Sequence, residues 1–389
     1  MARMAKRLRV ASWARAFERS MAALARSGLR ATQRSVRQAM KPTPVKKRAA
    51  PAKLKTLAAG PAPVGGEGDW IAGVALGVGG ARRYGLFRPA GVKAGERLPL
   101  LVMLHGCGQD AKGFALSTRM NRVAAREHFM VLYPEQDRLA NAQGCWNWFD
   151  TTTGRAMTEV ALILRAIDQV CLLYPADRER VAIAGLSAGA SMAALVVTRH
   201  PERFKALAMH SGIAPGTAHS TLSALGAMQG RRGTRPLAQV PPPTLAASQV
   251  NAASPCDAAP FRDGRRLSSA QGRVLPPLLV IHGAADRVVS ARNGQAAALQ
   301  WADASGARAG AARQLQRGQR YPMTVTDFKR HGSTVATRVE VARLGHAWSG
   351  GMSKLPYGDG LGPDASRMVW AFVKRQFRVP KAKAAAVTT

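Results

Sequence analysis

The stretch R180-V-A-I-A-G-L-S-A-G-A-S-M-A-A-L-V-V197 (residues 180–197) decides how the rest of the chain is read. A short apolar run with strand character enters Gly-x-Ser-x-Gly, and a small-residue helix pattern follows at once. A strand-to-helix turn this tight forces unusual backbone angles on its central residue and brings the flanking backbones close, so both flanks call for glycine. Gly185 and Gly189 hold those positions around Ser187. The pattern predicts a nucleophile elbow: a serine at the apex, with the first amides of the next helix aimed where a negative oxygen can collect. A plain tight turn would also need small residues, so the elbow requires a base and an acid elsewhere in the chain.

A serine hydroxyl becomes a good nucleophile when a histidine takes its proton and a carboxylate orients that histidine. On a sheet of this kind the partners follow the serine in the order acid, then histidine, each just past a strand end. "LLVIHGAADRVV" places Asp286 beyond a buried strand, and "VEVARLGHAWSGG" places His346 beyond the last strand. Asp303, Asp257 and Asp263 compete for the acid but fall in helical or low-complexity sequence. His210, at the end of "KALAMH", competes for the base, while His282 reads as structural. One oxyanion donor is the Ala188 amide; the second is expected from "LVMLHGCGQD", with Cys107 first and Gly108 and Gln109 next in line. His105 is read as a brace for that loop. Trp146, Trp148, Phe149 and Trp348 could equally line an acyl or alcohol pocket or simply pack.

Around these residues the chain falls into four stretches. Residues 67–213 alternate strand and helix: strands at "RRYGLFRP", "LPLLVMLHG" and "FMVLYPEQ", one helix at "TRMNRVAAREH", another at "TEVALILRAIDQVCLLY", then the elbow and a strand at "FKALAMHSG". That alternation predicts an α/β fold with a mostly parallel sheet and helices on both faces. Residues 214–275 are rich in Pro, Gly, Ser and Ala, and the low-complexity insert at 230–275 reads as a surface excursion or flap. From "LPPLLVIHG" the alternation resumes, through two strands near "MTVTDFKR" and "VATRVEVARL" to a terminal helix "DASRMVWAFVKRQF". The division expected is an arm at 1–66, a catalytic domain at 67–379 and a tail at 380–389.

Charge sets the arm apart. Of 57 Lys and Arg against 22 Asp and Glu, residues 1–60 carry 16 basic groups and a single acid, Glu18. Val10, Trp13, Phe17, Met21 and Leu24 share one helical face, opposite Arg15, Arg19, Arg26, Arg30 and Arg37. A basic amphipathic helix of this kind suits a granule or anionic membrane surface, contacted through residues 1–40. The formal charge of +35 also favours nonspecific nucleic acid contact. Alternatively the arm folds its apolar stripe onto the body. The Pro/Ala/Lys segment after it reads as a linker without packed structure. No apolar run is long enough to span a bilayer. The four cysteines lack zinc-site spacing, so no metal and no cofactor is expected.

Taken together, "LPLLVMLHGCGQD", "TRMNRVAAREHFMVLYPEQ", "CWNWFD", "AGLSAGASMAAL", "HSG", "HGAADRVV" and "GHAWSGG…GPDAS" resemble the poly(3-hydroxybutyrate) depolymerase family of esterases over roughly residues 70–378. That family lies among the carbohydrate-esterase-like α/β-hydrolases, beside feruloyl and acetylxylan esterases. The resemblance implies an α/β-hydrolase fold, a Ser187–Asp286–His346 triad, a role for Cys107 at the oxyanion loop and a Cys107–Cys145 disulfide. It implies a serine esterase acting on short-chain hydroxyalkanoate polymer or oligomer, with a feruloyl or acetylxylan esterase as the alternative. A non-enzymatic granule- or polyanion-binding protein is the alternative of another class. The long insert and the basic arm depart from the family pattern. The family suggests an extracellular protein, yet no secretory h-region follows the early charges, so a cytoplasmic location stays open.

Overall fold

The structure, a computed structural model, describes residues 64–237 and 274–378. The amphipathic arm, most of the insert and the C-terminal tail lie outside the described residues.

An N-terminal hairpin of β1 (Gly68–Gly77) and β2 (Gly80–Pro89) leads into β3 (Leu98–Leu104), α1 (Ala111–Thr118), α2 (Met120–Glu127) and β4 (Met130–Pro134). Then come α3 (Arg155–Leu173), β5 (Ala176–Leu186), α4 (Ala188–Arg199), β6 (Leu207–His210) and α5 (Thr221–Met228). The last part holds β7 (Leu278–Gly283), α6 (Arg292–Ser305), β8 (Arg308–Ala309), β9 (Arg313–Leu315), β10 (Met323–Arg330) and β11 (Ser333–Val341). It closes with β12 (Trp348–Ser349), β13 (Gly358–Asp359) and α7 (Ala365–Phe377).

The main sheet runs β1-β2-β4-β3-β5-β6-β7-β11-β10-β8, with β9 also on β10. Its centre, from β4 through β3, β5, β6 and β7 to β11, is parallel, and the pairs at both margins are antiparallel. Parallel strands covered on both faces must be apolar on both, which is why "LLVML" and "VAIAGL" read as continuous apolar runs. Their side chains sort by turns. Leu100, Val102, Leu104, Val181 and Ile183 join the core shared with α3, α4 and α6, whereas Leu101, Met103, Ala182, Ala184 and Leu186 join the core shared with α1, α2 and α7.

Three elements differ from the expectations. Two helices, α1 and α2, stand here: the helix expected at "TRMNRVAAREH" is α2, and α1 precedes it, with Arg119 at φ 57° separating them. The first of them was hidden in glycine-containing sequence, although Asp110 caps it by accepting from the Gly113 amide. The β1 strand alternates in exposure from Ile71 to Gly77, but Val74 and Leu76 on its exposed side leave no apolar–polar alternation in the sequence to announce it. Helix α5 forms inside the Pro/Gly/Ser/Ala stretch, started by a capping box between Ser220 and Ser223.

Candidate active site

The parallel strands end on one side of the sheet, and the loops there carry the chemistry, as open α/β sheets favour. Ser187 leaves β5 with φ 56° and ψ −121°, an arrangement costly for a non-glycine residue and held by its surroundings. A Cβ added at Gly185 would come within 2.4 Å of the Gly189 carbonyl group, and one at Gly189 within 2.2 Å of Leu104 O and 2.4 Å of His105 O. Both flanking glycines are therefore forced by backbone approach. The Ser187 amide donates to His210 O at 2.9 Å, so it is unavailable to a substrate.

Ser187, His346 and Asp286 meet although 159 and 60 residues separate their contacting pairs. Ser187 Oγ lies 2.9 Å from His346 Nε2, and His346 Nδ1 lies 2.8 Å from Asp286 Oδ2. Asp286 Oδ2 can only accept, which assigns the proton to His346 Nδ1 and leaves Nε2 to accept from the serine hydroxyl. Asp286 sits in the turn after β7, where its Oδ1 accepts from the Val288 and Val289 amides, both at 2.9 Å. Its side chain is buried. Burial pushes the carboxyl up, but the hydrogen bond and charge of His346, with smaller help from His282 and Val289, more than offset this and hold it below its ordinary value.

The remaining histidines have other duties. His282 donates from Nε2 to Val289 O at 2.9 Å, closer than the 3.6 Å to Asp286 Oδ2, and so ties down the turn that presents the acid. His210 is buried at the end of β6, with its ring stacked on Trp348 and its Nε2 accepting from the Ser349 amide at 3.1 Å. Burial pushes its pKa down to about 3. It is engaged on both sides, and the hydrogen-bond partner of Ser187 Oγ is His346.

The loop after β3 lies against the start of α4, as the Gly189 contacts require. Its backbone amides are unequally engaged. Gly106 donates to Gln109 Oε1, Gly108 to Gln143 O at 2.9 Å and Gln109 to Gly106 O at 3.3 Å. Among the described residues the Cys107 amide has no such acceptor, which singles it out from Gly108 and Gln109. Cys107 is joined to Cys145 by a disulfide. His105 donates from Nδ1 to Gly106 O at 2.8 Å and accepts at Nε2 from the Gln136 amide at 3.0 Å. Burial lowers its pKa to about 4, in keeping with a neutral ring.

The aromatic side chains expected near the site are mostly interior. Trp146 and Trp348 are 0% and 1% exposed. Trp146 donates to His105 O at 3.0 Å, and Trp348 donates to Ser366 Oγ at 3.0 Å. With no surface to offer, these two brace loops, and the expectation that they line a pocket gives way to packing. Trp148 is also buried, edge-on to the half-buried Phe149.

Behind the oxyanion loop lies a buried polar cluster that was not read from the sequence. Gln136 accepts from Arg82 and donates to Glu159 Oε1 and to Cys145 O. Glu159 also accepts from the amide and side chain of Asn147. Burial raises the Glu159 carboxyl despite these donors and Arg82. Arg82 lies over the Trp146 ring at 5.1 Å. An Arg and a Glu separated by 77 positions, in a strand and a helix, carry no local signal that they share a site.

Residues 82–256 match the family described as Esterase PHB depolymerase. These residues, under half of the chain, fit that esterase family. The chain is 34% identical over 127 residues to poly(3-hydroxyalkanoate) depolymerase C of Paucimonas lemoignei, covering 32% of the chain and 30% of that relative. It is 27% identical over 216 residues to feruloyl esterase B of Neurospora crassa, covering 55% of the chain and 68% of that relative. Among solved structures, an acetyl xylan esterase from Aspergillus awamori superposes with a TM-score of 0.53 at 17% identity, over 75% of the chain and 94% of its own. That likeness speaks for the fold, an α/β-hydrolase fold. The chain thus spans less than a third of the depolymerase relative's length. The family match includes the elbow and the oxyanion loop but ends before Asp286 and His346, so these two enter the site on geometry alone.

Proposed function

We propose that this chain is a serine esterase that cleaves carboxylic esters through an acyl-enzyme. Ser187 Oγ attacks the ester carbonyl carbon while His346 Nε2 takes its proton. Asp286 holds the imidazole in the productive tautomer and stabilises the imidazolium. The carbonyl oxygen, now negative, is met by the Cys107 and Ala188 amides. Collapse of the tetrahedral species breaks the acyl–oxygen bond, and the alcohol leaves with the proton from His346. A water molecule, deprotonated by the same histidine, then releases the acid and restores Ser187. The supporting observation is the unbroken chain Ser187–His346–Asp286, at 2.9 and 2.8 Å, on a serine with φ 56°.

The substrate class we favour is a short hydroxyalkanoate ester, polymer or oligomer, in line with the family match and the depolymerase relative. A second class, feruloyl or acetyl esters of polysaccharide, is favoured by the longer alignment with feruloyl esterase B. A panel of 3-hydroxybutyrate oligomers, methyl ferulate and acetylated xylan separates them: kcat/KM highest on the oligomers supports the first, and turnover confined to ferulate or acetyl esters supports the second. Failure to hydrolyse any of them, or any simple aryl ester, would overturn the esterase proposal. The basic arm we assign to docking on a granule or anionic membrane surface, with weak contact to nucleic acid as a by-product of charge. Deleting residues 1–66 should leave turnover of a soluble ester unchanged and weaken salt-sensitive binding to anionic vesicles or granules; unchanged binding would contradict that assignment.

A further inference from the structure

His210 takes no part in the proton transfers above, yet it touches both halves of the site. Its backbone carbonyl accepts the Ser187 amide at 2.9 Å, at the apex of the strained elbow. Its side chain reaches the other way: Nε2 accepts from the Ser349 amide at 3.1 Å, three residues beyond His346, and the ring stacks on Trp348 with centroids 5.0 Å apart. Accepting at Nε2 requires the proton on Nδ1, and Ser211 Oγ lies 3.2 Å from Nδ1 to receive it. Ser211 in turn has φ 53°, and its amide donates to Ile281 O, next to His282 on β7. Before His346, Leu344 O accepts the Ala285 amide at 3.0 Å and joins the histidine loop to the turn that carries Asp286, whereas the anchors after it point elsewhere. Trp348 bonds to Ser366 and Tyr357, and Ser349 Oγ donates to Pro363 O at 2.6 Å, all toward α7 and the segment before it.

We propose that His210 is a positioning residue that sets the nucleophile and the base at working distance, clamping the Ser187 amide with its carbonyl and the His346 loop with its imidazole. This rests on the assignment of Ser187 and His346 as nucleophile and base. The backbone half survives any substitution; the imidazole half does not, so its loss lets the His346 loop move relative to a fixed serine. Such movement lowers the rate of acylation without removing a group that binds substrate.

The test compares three variants of the full chain. Gln places an amide oxygen near the position of Nε2, Asn reaches only the position of Nδ1, and Leu fills space without an acceptor. His210→Leu and His210→Asn should lower kcat on the order of tenfold to a hundredfold, the penalty for misplacing a reacting group by about 1 Å. KM should stay within about twofold, since uniform binding is untouched. His210→Gln should keep kcat within about threefold of the parent, the extent of rescue expected when the bond to Ser349 is restored. The rate of fluorophosphonate labelling at Ser187 should fall in step with kcat. A purely structural role would lower Tm in all three variants alike and leave kcat per folded molecule unchanged, which overturns the proposal, as does equal activity of the Gln and Asn variants. If the Leu variant does not fold, the Gln–Asn contrast decides. Nitrogen chemical shifts of His210 in the parent chain at neutral pH supply a reading that needs no variant: Nε2 must be unprotonated, and a protonated Nε2 contradicts the clamp. Absence of labelling at Ser187 in the parent chain is a different failure, that of the esterase assignment itself.

Discussion

The elbow and the oxyanion loop sit against each other and are built in opposite ways. The elbow is local. Five consecutive residues set Ser187 at φ 56°, with Gly185 pressed against Gly189 inside the motif and Gly189 admitting the end of β3. The oxyanion loop is a composite of distant segments. Cys107 is held by Cys145, Gly108 by Gln143, and His105 by Gln136 and Trp146, while Gln136 is positioned by Arg82 and Glu159. A site thus combines one part fixed by short-range sterics with another fixed by long-range polar ties. The first should fail most sharply when its own residues change, whereas the second should weaken by degrees as ties are cut.

The sharpest way to break the local half is Ser187→Ala. It should leave the fold intact and lower ester turnover by on the order of 10⁴-fold or more, as removal of a triad member does elsewhere. A folded variant that keeps most of its rate refutes the elbow assignment. Asp286→Asn comes next, at on the order of 10³- to 10⁴-fold in kcat, because an amide that donates to His346 favours the wrong tautomer. Circular dichroism of that variant should match the parent, and an equal loss in Asp303→Asn but not Asp286→Asn would move the acid elsewhere.

These first two effects concern residues legible in the sequence. Ser187, Asp286 and His346 each follow an apolar strand in an order that the parallel topology dictates, and His105 was readable as a brace from its place beside the glycines. Three kinds of feature were not legible. The break at Arg119 depends on a left-handed residue with no glycine to mark it. Trp146 and Trp348 had compositions suited to a pocket, and only tertiary packing decides that both are interior. The Arg82–Gln136–Glu159–Asn147 cluster joins a strand, a loop and a helix far apart in sequence, so no spacing rule points to it.

Cutting the covalent tie tests the composite half. Cys145→Ser should lower stability by up to about 4 kcal/mol, the chain-entropy estimate for a loop of 38 residues. Activity of the folded fraction should fall only severalfold, since the amide and histidine ties persist. A loss as large as that of Ser187→Ala would mean that the disulfide alone sets the loop. Denaturant melts with turnover measured per folded molecule distinguish these outcomes.

The mildest perturbation is protonation of a tie. His105 takes a proton at about 4 when folded against an ordinary 6.5, because burial disfavours the charged ring. Between those values the unfolded chain binds the proton and the folded chain does not. Stability is therefore complete above about pH 6.5 and declines as pH falls toward 4, by on the order of 3 kcal/mol from this group. His210, at about 3, adds a loss of the same sign reaching lower pH. The raised Glu159 carboxyl works in the opposite sense, so the imidazoles are read in Glu159→Gln. Its urea midpoints should fall from pH 7.5 to 4.5, and a midpoint rising on acidification in that variant would contradict neutral, acceptor imidazoles in the folded state.

Covalent labelling decides whether Ser187 is an activated nucleophile. The full-length chain is treated with a fluorophosphonate, digested and mapped by mass spectrometry, alongside Ser187→Ala and His346→Ala. A single adduct is expected on the peptide carrying Ser187, strongly slowed in His346→Ala and absent in Ser187→Ala. An unlabelled parent protein, or an adduct that persists on another residue in Ser187→Ala, would contradict that role for Ser187.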